Sequence, residues 1–128
     1  MALTHVTAIR NTICDAVVDA IDDGTTDTTG DLVFMTDADV EVATLSWSAT
    51  PAFGAAVAGV ATMNSINDDT SATGGEVALF KFQDRDNAEV FRGTVTAIGG
   101  GGDIELSSTT VAVGGRVSMT SFTYEASD

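Results

Sequence analysis

Residues 76–96 read EVALFKFQDRDNAEVFRGTVT. Val77, Leu79 and Lys81 alternate with Ala78, Phe80 and Phe82, the polar run 83–87 (Gln-Asp-Arg-Asp-Asn) interrupts, and a two-residue period resumes from Ala88 to Val95. Period two on both sides of a turn predicts a β-hairpin. Its aromatic side, Phe80 and Phe82 with Phe91 as cross-strand neighbour, needs a cover, because a two-stranded ribbon alone is marginal in water. The rest of the chain must supply it.

Working outward, residues 97–125 offer a flexible break at Gly99–Gly102 and short strands at 103–106 and 109–113. Gly114-Gly115 then makes a tight turn, and a closing strand follows at 116–125. The apolar phase of that last strand switches between Met119 and Phe122, which predicts a bulge near Thr120-Ser121. On the upstream side, 67–75 is a polar turn and 60–66 a strand. Residues 52–59 are rich in alanine but contain Gly54 and Gly59, each unfavourable by about 1 kcal/mol inside a helix, so they read as a loop. Residues 40–48 form a strand with Ala43, Leu45 and Trp47 on one side, ended by Pro51. Residues 31–36 form another, with Leu32 and Phe34 on one face, after a turn-forming connector at 23–30. Short strands with turn signals at fairly regular spacing indicate a mainly β chain, an antiparallel β-sandwich or small barrel over 31–125. No repeat and no linker divides residues 1–128, so one domain is expected.

The one helix lies at 4–22. Val6, Ile9, Ile13, Val17 and Ala20-Ile21 recur at three- and four-residue intervals, with Thr4 as N-cap and Gly24 as stop. Asp15, Asp19 and Asp22 fall off this stripe, near the helix end where the dipole disfavours them. The stripe either closes the bottom of the sheet or serves as an arm or subunit contact.

Composition excludes several classes. Five Lys plus Arg stand against nineteen Asp plus Glu, a net charge of −14. Such a surface repels phosphate, and the basic residues (Arg10, Lys81, Arg85, Arg92, Arg116) are scattered, so no direct nucleic-acid binding is expected. No apolar run reaches the roughly 18 residues that span a bilayer, and no secretory signal pattern is present, so neither a membrane nor export is expected. The acid excess, mostly Asp with Lys81 as the only lysine, fits either ordinary solubilising charge or a halophilic source, where salt screens self-repulsion. The single Cys14 permits no internal disulfide and reads as a small apolar helix residue.

No catalytic, cofactor-binding or metal-ligating set emerges, and no enzyme is expected. His5 is the only histidine and has no base or ligand partners in sequence. Asp84 and Asp86 stand at alternate positions, with Glu89 three residues on, like the opening of a calcium loop, but the sixth-position glycine and the distant glutamate are missing, leaving a solvated turn or weak Ca²⁺ or Mg²⁺ binding. Gly99–Gly102 is followed by Asp103-Ile104-Glu105 rather than the lysine and hydroxyl of a phosphate loop. Trp47 reads as core or interface packing with its indole N–H on an acceptor.

Four segments, in order, carry a resemblance: residues 15–24 (DAVVDAIDDG), 43–62 (ATLSWSATPAFGAAVAGVAT), 66–72 (INDDTSA) and 113–123 (VGGRVSMTSFT). Together they resemble a family of small tailed-phage virion proteins. The chain departs from that family in the acidity of 23–39 and in Trp47 and Arg116, departures that suit a halophilic host and an archaeal tailed virus. The resemblance implies a structural protein of the virion, made in the host cytoplasm. Its expected place is the capsid surface, as a decoration or cement protein whose partners are the major capsid protein and further copies of itself, in a trimer or other ring. A neck or tail subunit is the alternative, and a small host-surface or carbohydrate-binding β-module a further one. The family brings no catalytic residue to this sequence.

Overall fold

The computed structural model describes residues 3–126. Helix α1 (Thr7–Asp19) continues into a 3-10 turn (Ala20–Asp22). The strands among the described residues are β1 (Asp31–Met35), β2 (Glu41–Ser46), β3 (Val60–Thr62), β4 (Gly75–Glu76), β5 (Leu79–Gln83), β6 (Glu89–Ala97), β7 (Ile104–Leu106), β8 (Thr110–Val111) and β9 (Thr123–Glu125). The chain is mainly β with one N-terminal helix, consistent with a β-sandwich or small barrel.

The predicted hairpin is the middle of the main sheet, whose order is β2-β1-β5-β6-β7. Phe82 stands opposite Phe91 and Phe80 opposite Gly93, with a register shift beyond Phe82. The antiparallel register of β1 brings Leu32 beside Phe82 and Phe34 beside Phe80, while on its other side the same residues meet Leu45 and Ala43 of β2. One sheet face therefore collects Leu32, Phe34, Ala43, Leu45, Phe80 and Phe82, all buried. Gly93 is small for a reason: a Cβ there would lie 2.6 Å from the Phe80 ring, which occupies the space a side chain would take.

The cover comes from the β3-β9 pair, the loop carrying Ala52 and Phe53, and α1. Ring centroids of Phe82 and Phe91 are 4.8 Å apart, those of Phe82 and Phe122 5.1 Å, and those of Trp47 and Phe82 5.9 Å. Such aromatic contacts add about 0.5–1.5 kcal/mol each beyond burial. Trp47 is buried and donates its indole N–H to the Asn64 carbonyl at 3.2 Å, as its sequence reading predicts. From the helix, Cys14, Val18 and Ile21 are fully buried against this core.

The sheet edges are managed rather than left open. Along β2, the loop at 67–74 donates Asn67 N–H to Ser46 and Gly74 N–H to Val42, and the Asp69 carboxylate accepts Thr44 N–H at 2.9 Å. At the other edge β7 runs parallel to β6, the only parallel pair among the described strands. Parallel neighbours ordinarily need a crossover of about a dozen residues, yet residues 98–103 suffice. Gly99 and Gly101 take positive φ, and a Cβ at Gly100 or Gly102 would lie under 3.0 Å from Thr96. The four-glycine run is thus a compact reversal held by Gly102 N–H on Thr96 Oγ1 and Gly101 N–H on Glu105, rather than the flexible break expected.

Other boundaries shift. The helix starts at Thr7, with Val6 as N-cap and no side-chain cap, so Thr4 does not perform that role. The strand expected over 60–66 pairs only at Val60–Thr62, continuing as the isolated bridges Phe53–Met63 and Trp47–Ile66. The closing strand expected over 116–125 reduces to an Asp69–Val117 bridge and β9, because Phe122 turns into the core instead of continuing a ladder. The phase switch at Thr120-Ser121 marks this departure, not a bulge within a strand.

Candidate interaction surface

The apolar stripe read from residues 6–21 divides in two. Of its members only Ile21 is fully buried and Val17 and Ala20 are half-buried, while Cys14 and Val18, which lie off the stripe, pack on the sheet cover; Leu3 (84%), Val6 (69%), Ile9 (47%) and Ile13 (38%) are exposed to solvent, and Ala16 with them. The helix is rolled so that Asn11, Cys14, Asp15, Val18 and Ile21 look inward.

Hydrogen bonds to the small-residue loop fix that roll. Asn11 Oδ1 accepts the Gly59 N–H at 2.7 Å, Asp15 Oδ1 the Ala56 N–H at 2.7 Å and Asp22 Oδ1 the Ala52 N–H at 3.0 Å. Asn11, Asp15 and Asp22 thus satisfy those amides of the loop that its bridges to 60–63 leave unpaired, as buried backbone donors require. Asp15 and Asp22 face the domain rather than elsewhere, and burial is the main cause that raises the Asp22 carboxyl above its ordinary value. Cys14 completes the attachment, with Sγ 3.2 Å from the Tyr124 carbonyl; burial likewise raises its thiol, which stays protonated.

The stretch from Leu3 to Ile13 carries no acid, although Asp19 is exposed at the end of α1 and the Glu125 carboxylate lies beside Arg10. Every Asp and Glu of the chain lies at Asp15 or later. Arg10, the one charged side chain in the first two turns, folds back to the Glu125 carboxylate at 3.4 Å and the Ala126 carbonyl at 3.2 Å. The remaining exposed large apolar residues, Val40, Val57, Ile98 and Val113, do not adjoin this stripe in sequence, and scattered exposed apolar residues are normal.

Two concavities stand elsewhere. On the outer face of the sheet, Asp31, Asp39, Glu41, Lys81, Gln83 and Asn87 rim a trough of about 270 Å³ floored by Val33 and Met35. Burial raises the Asp31 carboxyl despite its hydrogen bond from Ser46. Nearby, Arg92 bridges Asp39 and Glu89, and its hydrogen bonds hold the Glu89 carboxyl below its ordinary value. A second concavity, also about 270 Å³, opens beside β9 between Phe91, Phe122 and Tyr124, with Arg92, Asp103 and Glu125 at its rim.

Among the described residues no group of three or more His, Cys, Asp or Glu is disposed to hold a metal ion, and no helix is long and apolar enough to cross a membrane. The Asp84–Glu89 carboxylates are engaged within the turn and with the 23–30 connector. Asp84 Oδ1 accepts Asp86 and Ala88 N–H, Asp86 Oδ1 accepts Thr25 and Thr26 N–H at 2.9 Å each, and Glu89 holds Arg92. His5 is exposed just before the helix. No protein-family model, no curated protein and no solved structure matches this chain.

The exposed apolar stripe of Val6, Ile9 and Ile13 is therefore the candidate interaction surface. Its residues were legible in sequence as one stripe; their exposure was not, because Asp15 and Asp22 read as facing away from the core until the 52–59 loop is seen to need acceptors. The outer trough went unread for a related reason: Val33 and Met35 fall on the side of β1 opposite Leu32 and Phe34, and only Lys81, Glu41 and their neighbours, brought together by pairing, conceal them.

Proposed function

We propose that this protein is a structural component of a tailed-virus particle, decorating the outside of the head as a cement protein with the major capsid protein as partner. The observation that carries this proposal is the uneven make-up of the surface: an exposed apolar stripe of Val6, Ile9 and Ile13 on a body of net charge −14. A protein with one adhesive side and a strongly acidic remainder suits attachment in many copies to the exterior of a shell, away from packaged DNA that would repel it. The resemblance of residues 15–24, 43–62, 66–72 and 113–123 to tailed-phage virion proteins supports the same assignment. Copies joined as a trimer or other ring convert weak single contacts into strong attachment through effective concentration. Halophilic adaptation accounts for the aspartate excess.

Copy number in purified particles, measured by quantitative mass spectrometry against the major capsid protein, tests the proposal. A simple lattice ratio is expected. A handful of copies per particle overturns decoration and favours a neck or tail subunit.

A second reading, a small carbohydrate- or host-surface-binding module, draws on the concavity beside Tyr124, where the edges of Phe91 and Phe122 stand near the Asp103 and Glu125 carboxylates. Saturable binding on a glycan array, lost in Tyr124→Ala, is the result that would favour it over assembly.

A further inference from the structure

We propose that the seam between β7 and β9 binds an extended, basic segment of a partner protein, which adds there as a further strand. The seam is separate from the exposed stripe of α1, and the proposal does not rest on the virion reading.

Backbone direction is the first ground. Ile98 N–H bonds the Leu106 carbonyl, so Leu106 and Ile104 turn their backbone groups to β6, and Glu105 between them turns its N–H and C=O away. In β9, Met63 N–H bonds the Phe122 carbonyl and Ala126 N–H the Gly59 carbonyl, so Tyr124 faces β3 while Thr123 and Glu125 face away from it. Among the described residues, these three outward residues have no backbone partner, and neither do residues 119–121. Unpaired strand edges are templates for another chain. The β7 edge is guarded by its shortness and its acids, not by a covering strand.

Shape is the second. Two adjoining concavities, of about 330 and 270 Å³, share Asp103, Phe122 and Thr123 and lie between β7 on one side and residues 119–125 on the other. The pleats of the two lips are in phase: Ile104, Phe122 and Tyr124 pack on the core, whereas Asp103, Glu105, Thr123 and Glu125 are exposed. A strand laid between them sets alternate side chains on the aromatic floor and the others among carboxylates, as the period of two requires.

Charge is the third, and it selects the occupant. Asp103, Glu105 and Glu125 line the two concavities, and Arg92, the only basic residue there, is bonded to Glu89 and Asp39. Asp103 is fixed through Oδ2 by Thr94 and Glu105 through Oε2 by the Gly101 N–H, so each keeps a second oxygen for a cation. A basic strand meets complementary charge here and an acidic one is repelled. A second copy does not fit: its net charge is −14, and no two of its five Lys and Arg residues stand two apart, as neighbours on one face of a strand must. The occupant is a different protein.

The test uses the purified full chain, in the lowest KCl concentration that preserves the folded emission of Trp47, and three capped heptapeptides. One alternates lysine with valine, one has glutamate in place of lysine, and one is the basic peptide with N-methyl groups on alternate amides. Binding is read by anisotropy of the labelled peptide and by NMR shifts and hydrogen exchange of the Glu105 and Thr123 amides. The basic peptide is expected to bind saturably and to protect both amides, the N-methylated one to bind at least about tenfold more weakly, and the acidic one not to bind. Glu105→Lys is expected to weaken binding about tenfold, whereas Asp37→Lys, the same charge change on an exposed turn, leaves it unaltered. Thr123→Pro removes the outward N–H of β9 without touching a bond to β3, and should weaken binding as N-methylation does. Should that variant not fold, the N-methylated peptide decides the same point. Absence of saturable binding by the basic peptide overturns the proposal. Equal binding of the N-methylated peptide, or equal weakening by Asp37→Lys, shows charge attraction without strand addition and also overturns it. Protection of Glu105 and Thr123 that grows with protein concentration alone assigns the seam to a second copy and overturns the basic occupant. A neutral glycan that shifts these amides where the peptide does not overturns the proposal and favours the carbohydrate reading.

Discussion

Asp15 accepts the Ala56 amide at 2.7 Å, joining the middle of α1 to a loop that meets β3 through only a few bridges. Asn11 and Asp22 repeat the contact one turn before and two turns after, at Gly59 and Ala52. These side chains decide which face of the helix the solvent receives. Asp15→Ala leaves a part-buried amide without its charged acceptor and is expected to lower stability by about 1–3 kcal/mol, whereas Asp15→Asn keeps an acceptor and loses less than half of that. Urea denaturation in molar salt, followed by Trp47 emission, measures both. Equal losses in the two variants would show that charge rather than hydrogen bonding holds the loop.

Gly93 predicts a second sensitive point. The Phe80 ring crosses it so closely that a methyl group must displace either the ring or the Asp103 carboxylate, which receives Thr94 N–H at 2.9 Å. Gly93→Ala is expected to destabilise the fold by roughly 1–3 kcal/mol, the range for overpacking a filled core. Pairing it with Phe80→Leu tests the mechanism: the double variant should lose less than the two single losses added, since the smaller side chain releases the clash.

The hairpin was legible because its two halves state the same period around an obvious turn, and Phe82 meets Phe91 as that period requires. The Leu32/Phe34 and Ala43/Leu45/Trp47 faces followed from the same rule. Three features were not. The glycine run at 99–102 looks flexible in composition, yet Thr96 and Glu105 bind its amides, and neither signals this locally. Segment 116–122 keeps strand-like residues but turns Val117, Met119 and Phe122 toward the core in place of pairing as a strand, a tertiary preference that propensity does not carry. The helix stripe was visible at its full length, but three polar side chains with long-range partners, not hydrophobicity, set its roll.

Titration supplies a signed prediction. Burial raises Asp19, Asp22 and Asp31 above their ordinary 3.8, so the folded state binds those protons before the unfolded chain does. The stability they contribute is full below 3.8 and is lost as pH rises through their folded values. Glu76 and Glu89 are lowered from 4.5 and Asp86 from 3.8, by hydrogen bonds from Thr109 and Thr110, from Arg92, and from Thr25 and Thr26. Their contribution is present above those values and is lost as pH falls through the folded ones. Tm should therefore rise on acidification from neutral pH, peak in mild acid and fall below about 4. Asp31→Asn should raise Tm at neutral pH and flatten the rise, since its cost on ionisation is removed while Ser46 keeps a partner. A Tm that falls steadily from pH 7 downward contradicts this.

Salt should act on the same charge from a different direction. Lys81 and four arginines cannot neutralise nineteen carboxylates, and the α1 end alone gathers Asp15, Asp19, Asp22 and Asp23, where burial first and then the neighbouring carboxylates push the titration of Asp19 and Asp22 upward. The Debye length falls from about 10 Å at 0.1 M salt to about 3 Å at 1 M, so repulsion across this cluster is screened in that range. Each kcal/mol recovered is worth about 4 °C of Tm in a chain of this size, and a gain on the order of 10 °C between 0.1 M and 2 M KCl is expected. Sulfate also strengthens apolar burial, so a KCl gain that matches ionic strength rather than salt type isolates the charge effect. Asp19→Asn with Asp23→Asn should shrink that gain by stabilising the low-salt state. A Tm indifferent to KCl would remove the halophilic explanation and leave the aspartates as ordinary solubilising charge.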